Sequence, residues 1–241
     1  MTDFRNRLYN QYLSGFHEEH TRVRDSRRRA YYRWLDYKLK PFLADLAPDA
    51  RIIELGCGVG DLLDYLKSRG FTDARGMDCC EAQVEIAQSQ GHAALRADVF
   101  EYLDKVEEPF DAALALDFIE HFTKDELLTL FDALRKTLKP GGRLILQTPN
   151  GEGLFAREVI YGDLTHLTVF TPRSLRQILA ATGFENIRFI ECGPAPTSLK
   201  GVIKVVLWRA LCAFANAARF VELGSARKIW TVNMICVAEN T

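Results

Sequence analysis

Glu54-Leu55-Gly56-Cys57-Gly58-Val59-Gly60-Asp61 follows the short apolar run Arg51-Ile52-Ile53, and it decides how the rest of the chain is read. A strand that ends in closely spaced glycines turns sharply into a helix and lets a ligand approach the backbone with no Cβ in the way. Gly56, Cys57, Gly58 and Gly60 are therefore candidate ligand-binding positions. Dinucleotide-binding loops carry Gly-x-Gly-x-x-Gly, and Asp61 stands where the third glycine of that spacing would fall. Glu54 places a carboxylate just ahead of the glycines. A carboxylate suits a cationic ammonium and repels a pyrophosphate.

Outward from this loop, short apolar runs alternate with amphipathic ones. The pattern predicts strands at 51–55, 74–78, 93–96, 110–116 and 143–148, with helices at 60–68, 80–89 and 124–138 between them. A helix at 172–181 and strands at 185–192 and 230–238 follow. Strict alternation implies an α/β, Rossmann-like, doubly wound and mostly parallel sheet. Two further acids close strands. Asp78, beside Cys79, ends the second strand, where a Rossmann unit offers a paired acceptor to ribose hydroxyls. Asp98, beside Val99, follows the third and can accept an adenine amino group next to apolar walls. One aspartate at a strand end also serves as a turn or helix cap. Three acids at three successive strand ends beside a glycine loop point instead to a ligand with an ammonium, a ribose and an adenine, which describes S-adenosylmethionine (SAM).

The chain resembles bacterial class I SAM-dependent methyltransferases from Glu54 through Phe184. The matching pieces are ELGCGVG (54–60), GMD (76–78), ADVF (97–100), FDAALALDFIEH (110–121) and LKPGGRLILQTPN (138–150). In that family Lys139-Pro140-Gly141-Gly142 is the turn before the fifth strand. The resemblance implies a seven-stranded sheet with its last strand antiparallel and SAM across the carboxyl ends of the strands. It also places the segment Asp117–Phe118–Ile119–Glu120–His121 beside the methionine moiety and the acceptor pocket, adding Asp117 and Phe118 to the cofactor-binding set. The Asn/Asp-Pro-Pro-aromatic motif of nucleic-acid amino-methyltransferases is absent, which disfavours base amino groups as acceptors.

Methyl transfer from a sulfonium is an in-line displacement that needs alignment, and a base when the nucleophile is a hydroxyl. His166, with Asp163 to orient it, is the candidate base, since imidazole titrates near neutrality. The alternative is a loop staple for the helix near Pro172. His121 is a second catalytic candidate, or a local hydrogen-bonding residue that orders its loop. Asp163 and His166 offer two metal-ligand types and the sequence supplies no third beside them, so no metal is assigned.

The remaining segments read as additions to one catalytic-type domain at 49–241: a helical lid at 1–48, an acceptor-facing insertion at 150–171 and an amphipathic helix at 199–221. The lid is rich in arginine (Arg27-Arg28-Arg29) and aromatics (Tyr31, Tyr32, Trp34, Tyr37), and its aromatics are expected to pack on the body while its arginines face water. In the helix, Lys200, Lys204, Arg209, Arg219 and Asn216 fall on one half and Ile203, Val206, Leu207, Ala210 and Phe214 largely on the other. Packing of that apolar half on the protein itself, homodimerisation included, is favoured over peripheral membrane contact. With 241 residues, 48% hydrophobic residues and a formal net charge of −1, no basic field argues for nucleic acid. Six cysteines without a Cys-x-x-Cys pair, and an amino end without an apolar leader, suit a reduced, cytoplasmic protein, at most peripheral at the inner membrane face. The carboxyl-terminal segment resembles methyltransferases of bacterial cell-surface polysaccharide assembly, implying a sugar or glycan hydroxyl as acceptor. A small-molecule O- or N-methyltransferase of quinone or natural-product type is the alternative, and a SAM-binding module without activity is another class.

Overall fold

The computed structural model describes residue 8 and residues 25–241. Seven strands form one sheet in the order β3-β2-β1-β4-β5-β7-β6. They are β1 (Arg51–Leu55), β2 (Asp73–Asp78), β3 (Ala93–Arg96), β4 (Phe110–Leu116), β5 (Leu138–Pro149), β6 (Phe184–Glu191) and β7 (Asn233–Asn240). Strands β1 to β5 pair in parallel, whereas β7 runs antiparallel to both β5 and β6. The doubly wound, mostly parallel sheet with one reversed strand matches the expected architecture.

The sheet is covered on both faces because its central strands carry apolar side chains on both sides. Adjacent residues feed opposite cores. Ile53, Ala113, Ala115, Leu144 and Leu146 join one apolar cluster with Leu127, Leu130, Phe131 and Leu134. Their neighbours Ile52, Ala112, Leu114 and Ile145 join the other, with Leu35, Leu39, Leu62, Tyr65 and Leu66. The covering helices, in chain order, are α1 (Asp25–Lys38), α2 (Asp61–Ser68), α3 (Glu81–Ser89), α4 (Val99–Asp104), α5 (Lys124–Thr137), α6 (Arg157–Gly162), α7 (Pro172–Ala181) and α8 (Leu199–Leu223). Helices α5 and α7 start on capping boxes, Thr123 with Glu126 and Thr171 with Ser174. Thr171, not His166, caps α7, so the staple alternative for His166 does not hold at that helix.

Several expectations change. The Lys139–Gly142 turn lies within β5, because Leu138 already pairs with Phe110 before the register shifts at Phe110/Ala112. The last strand begins at Asn233, not at 230. Trp230 is buried ahead of it, with Nε1 donating to Asn216 Oδ1 at 3.2 Å. Of the lid, residues 1–24 lie outside the described residues except for residue 8. Leu35 of α1 and Leu39 just past its end are the fully buried anchors, while Tyr31 and Tyr37 stay 36% and 48% exposed. The aromatics thus pack only in part. In α8 the expected apolar face points outward: Ile203, Val206, Leu207 and Phe214 are exposed and no residue of the helix is buried. The apolar half does not pack on its own body.

Candidate functional site

The carboxyl ends of β1, β2, β4 and β5 converge on a cleft roofed by α1. The glycine loop is built as its sequence demands. Gly56 has φ +70°, and a Cβ there would stand 2.6 Å from Phe118 Cδ2, so the Phe118 ring packs directly on the glycine backbone. Gly60, the N-cap of α2, has φ +90° and no side chain with which to cap the helix. Glu54 takes over that role: its carboxylate accepts from the Leu63 backbone, while Oε2 is buried with no hydrogen-bond partner. Burial first, then the charges of Asp78 and Asp61, hold its carboxyl well above the usual range. A buried carboxyl with one oxygen unpartnered beside a glycine loop is a ready seat for a cation.

Asp78 bridges the two loops, accepting from Gly58 N at 3.0 Å and Cys80 N at 2.8 Å. Burial raises its pKa against these bonds. Cys79 beside it has its thiol pushed up to about 12, chiefly by burial. Cys57 is buried against Gly58 O, and all six cysteines carry free thiols. Asp98 accepts from Phe100 N at 2.9 Å and Glu101 N at 3.4 Å through Oδ1. It is therefore the N-cap of α4, the alternative role open to any strand-end aspartate, with Val99 buried beneath it. SAM fits this arrangement: Glu54 for an ammonium, Asp78 for a ribose and the Asp98–Val99 edge for an adenine would hold it.

Asp117 sits where the cleft divides. Its backbone is left-handed at φ +52°, and its carboxylate accepts from Gln147 Nε2 at 2.8 Å and Asn233 Nδ2 at 3.1 Å. The residue borders the cleft mouth, yet crowding of the carboxyl by its surroundings pushes its pKa up to about 6. On the far side of Gln147 and Asn233 opens a cavity of about 480 Å³, walled by Tyr31, Trp34, Phe155, Val159 and Trp208. That is the size of a small-molecule site, mostly apolar with a few polar groups. Tyr31 links the two halves. Desolvation by the atoms crowding it, and then the carboxylates of Glu54, Asp61 and Asp117, hold its phenol above the usual range.

The three catalytic candidates meet in one cluster, with Glu120 at its base. The His121 and His166 rings lie edge to face with centroids 4.9 Å apart. Asp163 Oδ2 is 4.0 Å from His166 Nε2, but Oδ1 is committed to Thr165, accepting from its N at 2.8 Å and its Oγ1 at 2.6 Å. Thr165 Oγ1 in turn lies 2.9 Å from His121 Nδ1. Asp163 thus orients His121 through Thr165 more directly than it orients His166. Burial first, then the neighbouring His166, depresses His121 to about 4, so it is neutral near pH 7. Glu120 is 1% exposed. One of its oxygens accepts from Thr148 Oγ1 at 3.0 Å, while the other, like His166 Nδ1, is buried and unpartnered.

Glu120, His121 and His166 also form a group of metal-ligand types, their ligand atoms spread up to 4.8 Å apart. The structure thus brings beside His166 the further ligand types that the sequence did not place there, although Asp163 is not in the group. Glu120, Gln147, Thr165 and Asn233 are functional-site residues beyond those expected from the sequence. Only Glu120 left a signal, as a carboxylate inside the run that also holds Asp117 and His121.

Comparison with known proteins agrees with this fold. A family profile described as a methyltransferase domain matches residues 26–188. The chain is 31% identical over 110 residues to the mouse (Mus musculus) protein named "Probable tRNA methyltransferase 9B", covering 45% of this chain and 24% of that one. It is 29% identical over 107 residues to the ubiquinone biosynthesis O-methyltransferase of Xylella fastidiosa, covering 42% of each. The chain therefore spans less than half the length of these relatives. Among solved structures, a SAM-dependent methyltransferase from Archaeoglobus fulgidus superposes with a TM-score of 0.66 at 20% identity over 88% of this chain and 94% of that one. The SAM-bound magnesium protoporphyrin IX methyltransferase of Synechocystis PCC 6803 gives 0.61 at 16% identity over 100% and 99%. With more than half of its length inside the family match, the chain belongs to the methyltransferase-domain family, and it shares its fold with solved SAM-dependent methyltransferases.

Proposed function

We propose that the protein transfers a methyl group from SAM to a hydroxyl of a small acceptor with an apolar or aromatic body. Bound in the cleft, SAM supplies an electrophilic methyl on a sulfonium. The cavity beyond Asp117 carries the reading: four of its walls are the aromatic side chains Tyr31, Trp34, Phe155 and Trp208, with the amides of Gln147 and Asn233 among its few polar groups. A ring stacked there is excluded from water and oriented by few hydrogen bonds. The name of the Xylella relative supports a ring-bearing hydroxyl compound. The glycan expectation is the second reading, since aromatic faces also stack on sugars, but a sugar has more hydroxyls than this lining satisfies.

In this reading Glu54 and Asp117 neutralise the ammonium of the cofactor, Asp78 holds its ribose, and Tyr31 closes the roof. His166 accepts the proton of the acceptor hydroxyl, and Asp163, 4.0 Å from its Nε2, stabilises the resulting charge. His121, held neutral, fixes the side of that ring. The protein works without nucleic acid, in keeping with its net charge of −1, and resides in the cytoplasm at the inner face of the membrane.

The test is transfer of labelled methyl from SAM into separated small-molecule, lipid, glycan and macromolecular pools, with Gly58→Arg as the blank. Label in ring-bearing small molecules or lipids supports the reading. Label confined to the glycan pool would replace it with the second, and label in RNA would overturn both.

A further inference from the structure

We infer that α8 is an anchor that lies in the surface of an anionic membrane. Laid out at 100° per residue, the helix has two opposed stripes. Gly201, Val205, Trp208, Cys212, Asn216 and Arg219 are half-buried and face the body. Trp208 Nε1 donates to Glu191 Oε2 at 3.4 Å, and Asn216 Oδ1 accepts from Arg227 N at 2.7 Å. The opposite stripe holds Leu199, Ile203, Val206, Leu207, Phe214 and Val221, which are 53–89% exposed, and Ala210 and Ala217 complete it without a polar side chain. An unbroken apolar ridge of this length pointing away from the body is the reverse of a water-facing helix.

Charge selects the occupant. Lys200 and Lys204 flank the ridge on one side and Arg209 on the other, and Glu222 is the one acid of the helix against these three and Arg219. Basic residues beside an apolar stripe reach lipid headgroups while the stripe enters the acyl boundary. A second copy docked in parallel on the same ridge would bring the two basic sets together, and an antiparallel one would leave Arg209 of each copy near the crossing. The helix is long and apolar enough to cross a bilayer, but its inner stripe is already bonded to the body, so it lies along the surface. Trp208 belongs to that inner stripe and also walls the cavity. An acceptor dissolved in the bilayer therefore enters beside the helix that docks the enzyme. This delivery step rests on the proposed acceptor, whereas the docking surface does not.

Flotation of the full chain with vesicles tests it, using phosphatidylcholine alone and an equal mixture of phosphatidylcholine and phosphatidylglycerol. The wild type is expected to float with the mixed vesicles and far less with phosphatidylcholine. K200Q/K204Q should weaken partitioning roughly thirtyfold, from about 1 kcal/mol per basic residue at an anionic surface. V206E/F214E should abolish flotation while SAM affinity and the circular-dichroism spectrum stay unchanged, which separates docking from the methyltransferase reading. Absence of flotation by the wild type, or flotation indifferent to these substitutions, would overturn the assignment. So would a stable dimer that V206E/F214E dissociates in the absence of lipid.

Discussion

Gln147 Nε2 donates to Asp117 Oδ2 at 2.8 Å, tying the carboxyl end of β5 to that of β4 at the point where the proposed cofactor cleft meets the proposed acceptor cavity. Asp117 holds a left-handed backbone there at φ +52°, a conformation that costs a non-glycine residue about 1 kcal/mol. The structure offsets that strain with two side-chain bonds to one carboxylate. The result is an acid displaced from its ordinary titration range and fixed between two binding sites.

Its pH dependence follows. With the carboxyl pushed up to about 6, Asp117 is ionised at neutral pH and protonates below that value, losing its attraction for a cation. SAM affinity is expected to fall about tenfold between pH 7 and pH 5, the change in ionised fraction for such a group. In Asp117→Asn affinity should be weak throughout and nearly flat with pH. Calorimetric titrations at several pH values decide this; a flat wild-type profile would remove Asp117 from the ammonium site.

Gly56→Ala should cost about 1–3 kcal/mol in stability and most of the SAM affinity, because it adds both a strained φ and a clash with Phe118. Adding Phe118→Ala should recover only the clash. Denaturant melts of the two single variants and the double give the coupling energy, and strictly additive losses would contradict direct packing of the ring on the glycine.

Glu120 makes a stability prediction with a definite sign. Burial holds its folded carboxyl well above the usual range, so the native state keeps a proton that the unfolded chain releases near its ordinary carboxyl value. That contribution is present at low pH and is lost as pH rises through the folded value. Glu120→Gln keeps the neutral shape and cannot ionise. Its stability relative to wild type should therefore increase as pH rises from 4 to 8 in urea melts. A difference independent of pH would mean that Glu120 is not held neutral.

Thr165→Val removes the hydroxyl that joins Asp163 to His121. Turnover should drop about ten- to hundredfold, the scale on which a misplaced catalytic geometry acts, with SAM affinity unchanged. Thr165→Ser should restore most of it. Equal loss in both variants would point to packing at this residue and not to orientation of the imidazole.

Much of this was legible in the chain. The glycines at 56, 58 and 60, the acids at 54, 78 and 98 and the strand runs at 51–55 and 110–116 announce the sheet and its cofactor edge, because turns and two-sided burial leave local signatures. Two helices of six residues each, α4 and α6, are too short for a periodic pattern to stand out. The Glu120–Thr148 and Thr165–His121 contacts arise only when β4 and β5 lie side by side and the insertion folds back over them. The wheel of α8 showed two faces correctly but not which one meets the body. That choice was made by Trp208 and Asn216, whose hydrogen-bond partners lie on β6 and just ahead of β7.

The atom that receives the methyl group distinguishes a hydroxyl acceptor from every other most directly. Wild type and His166→Ala would be incubated with labelled SAM and the small-molecule and lipid pools, and the product examined by mass spectrometry and proton NMR. The predicted result is a methyl ether on a ring-bearing compound, formed by the wild type and at least a hundredfold more slowly by His166→Ala, with equal SAM affinity in both. An N-methyl product, or an ether formed equally fast by the variant, would contradict the hydroxyl acceptor or the base assigned to it.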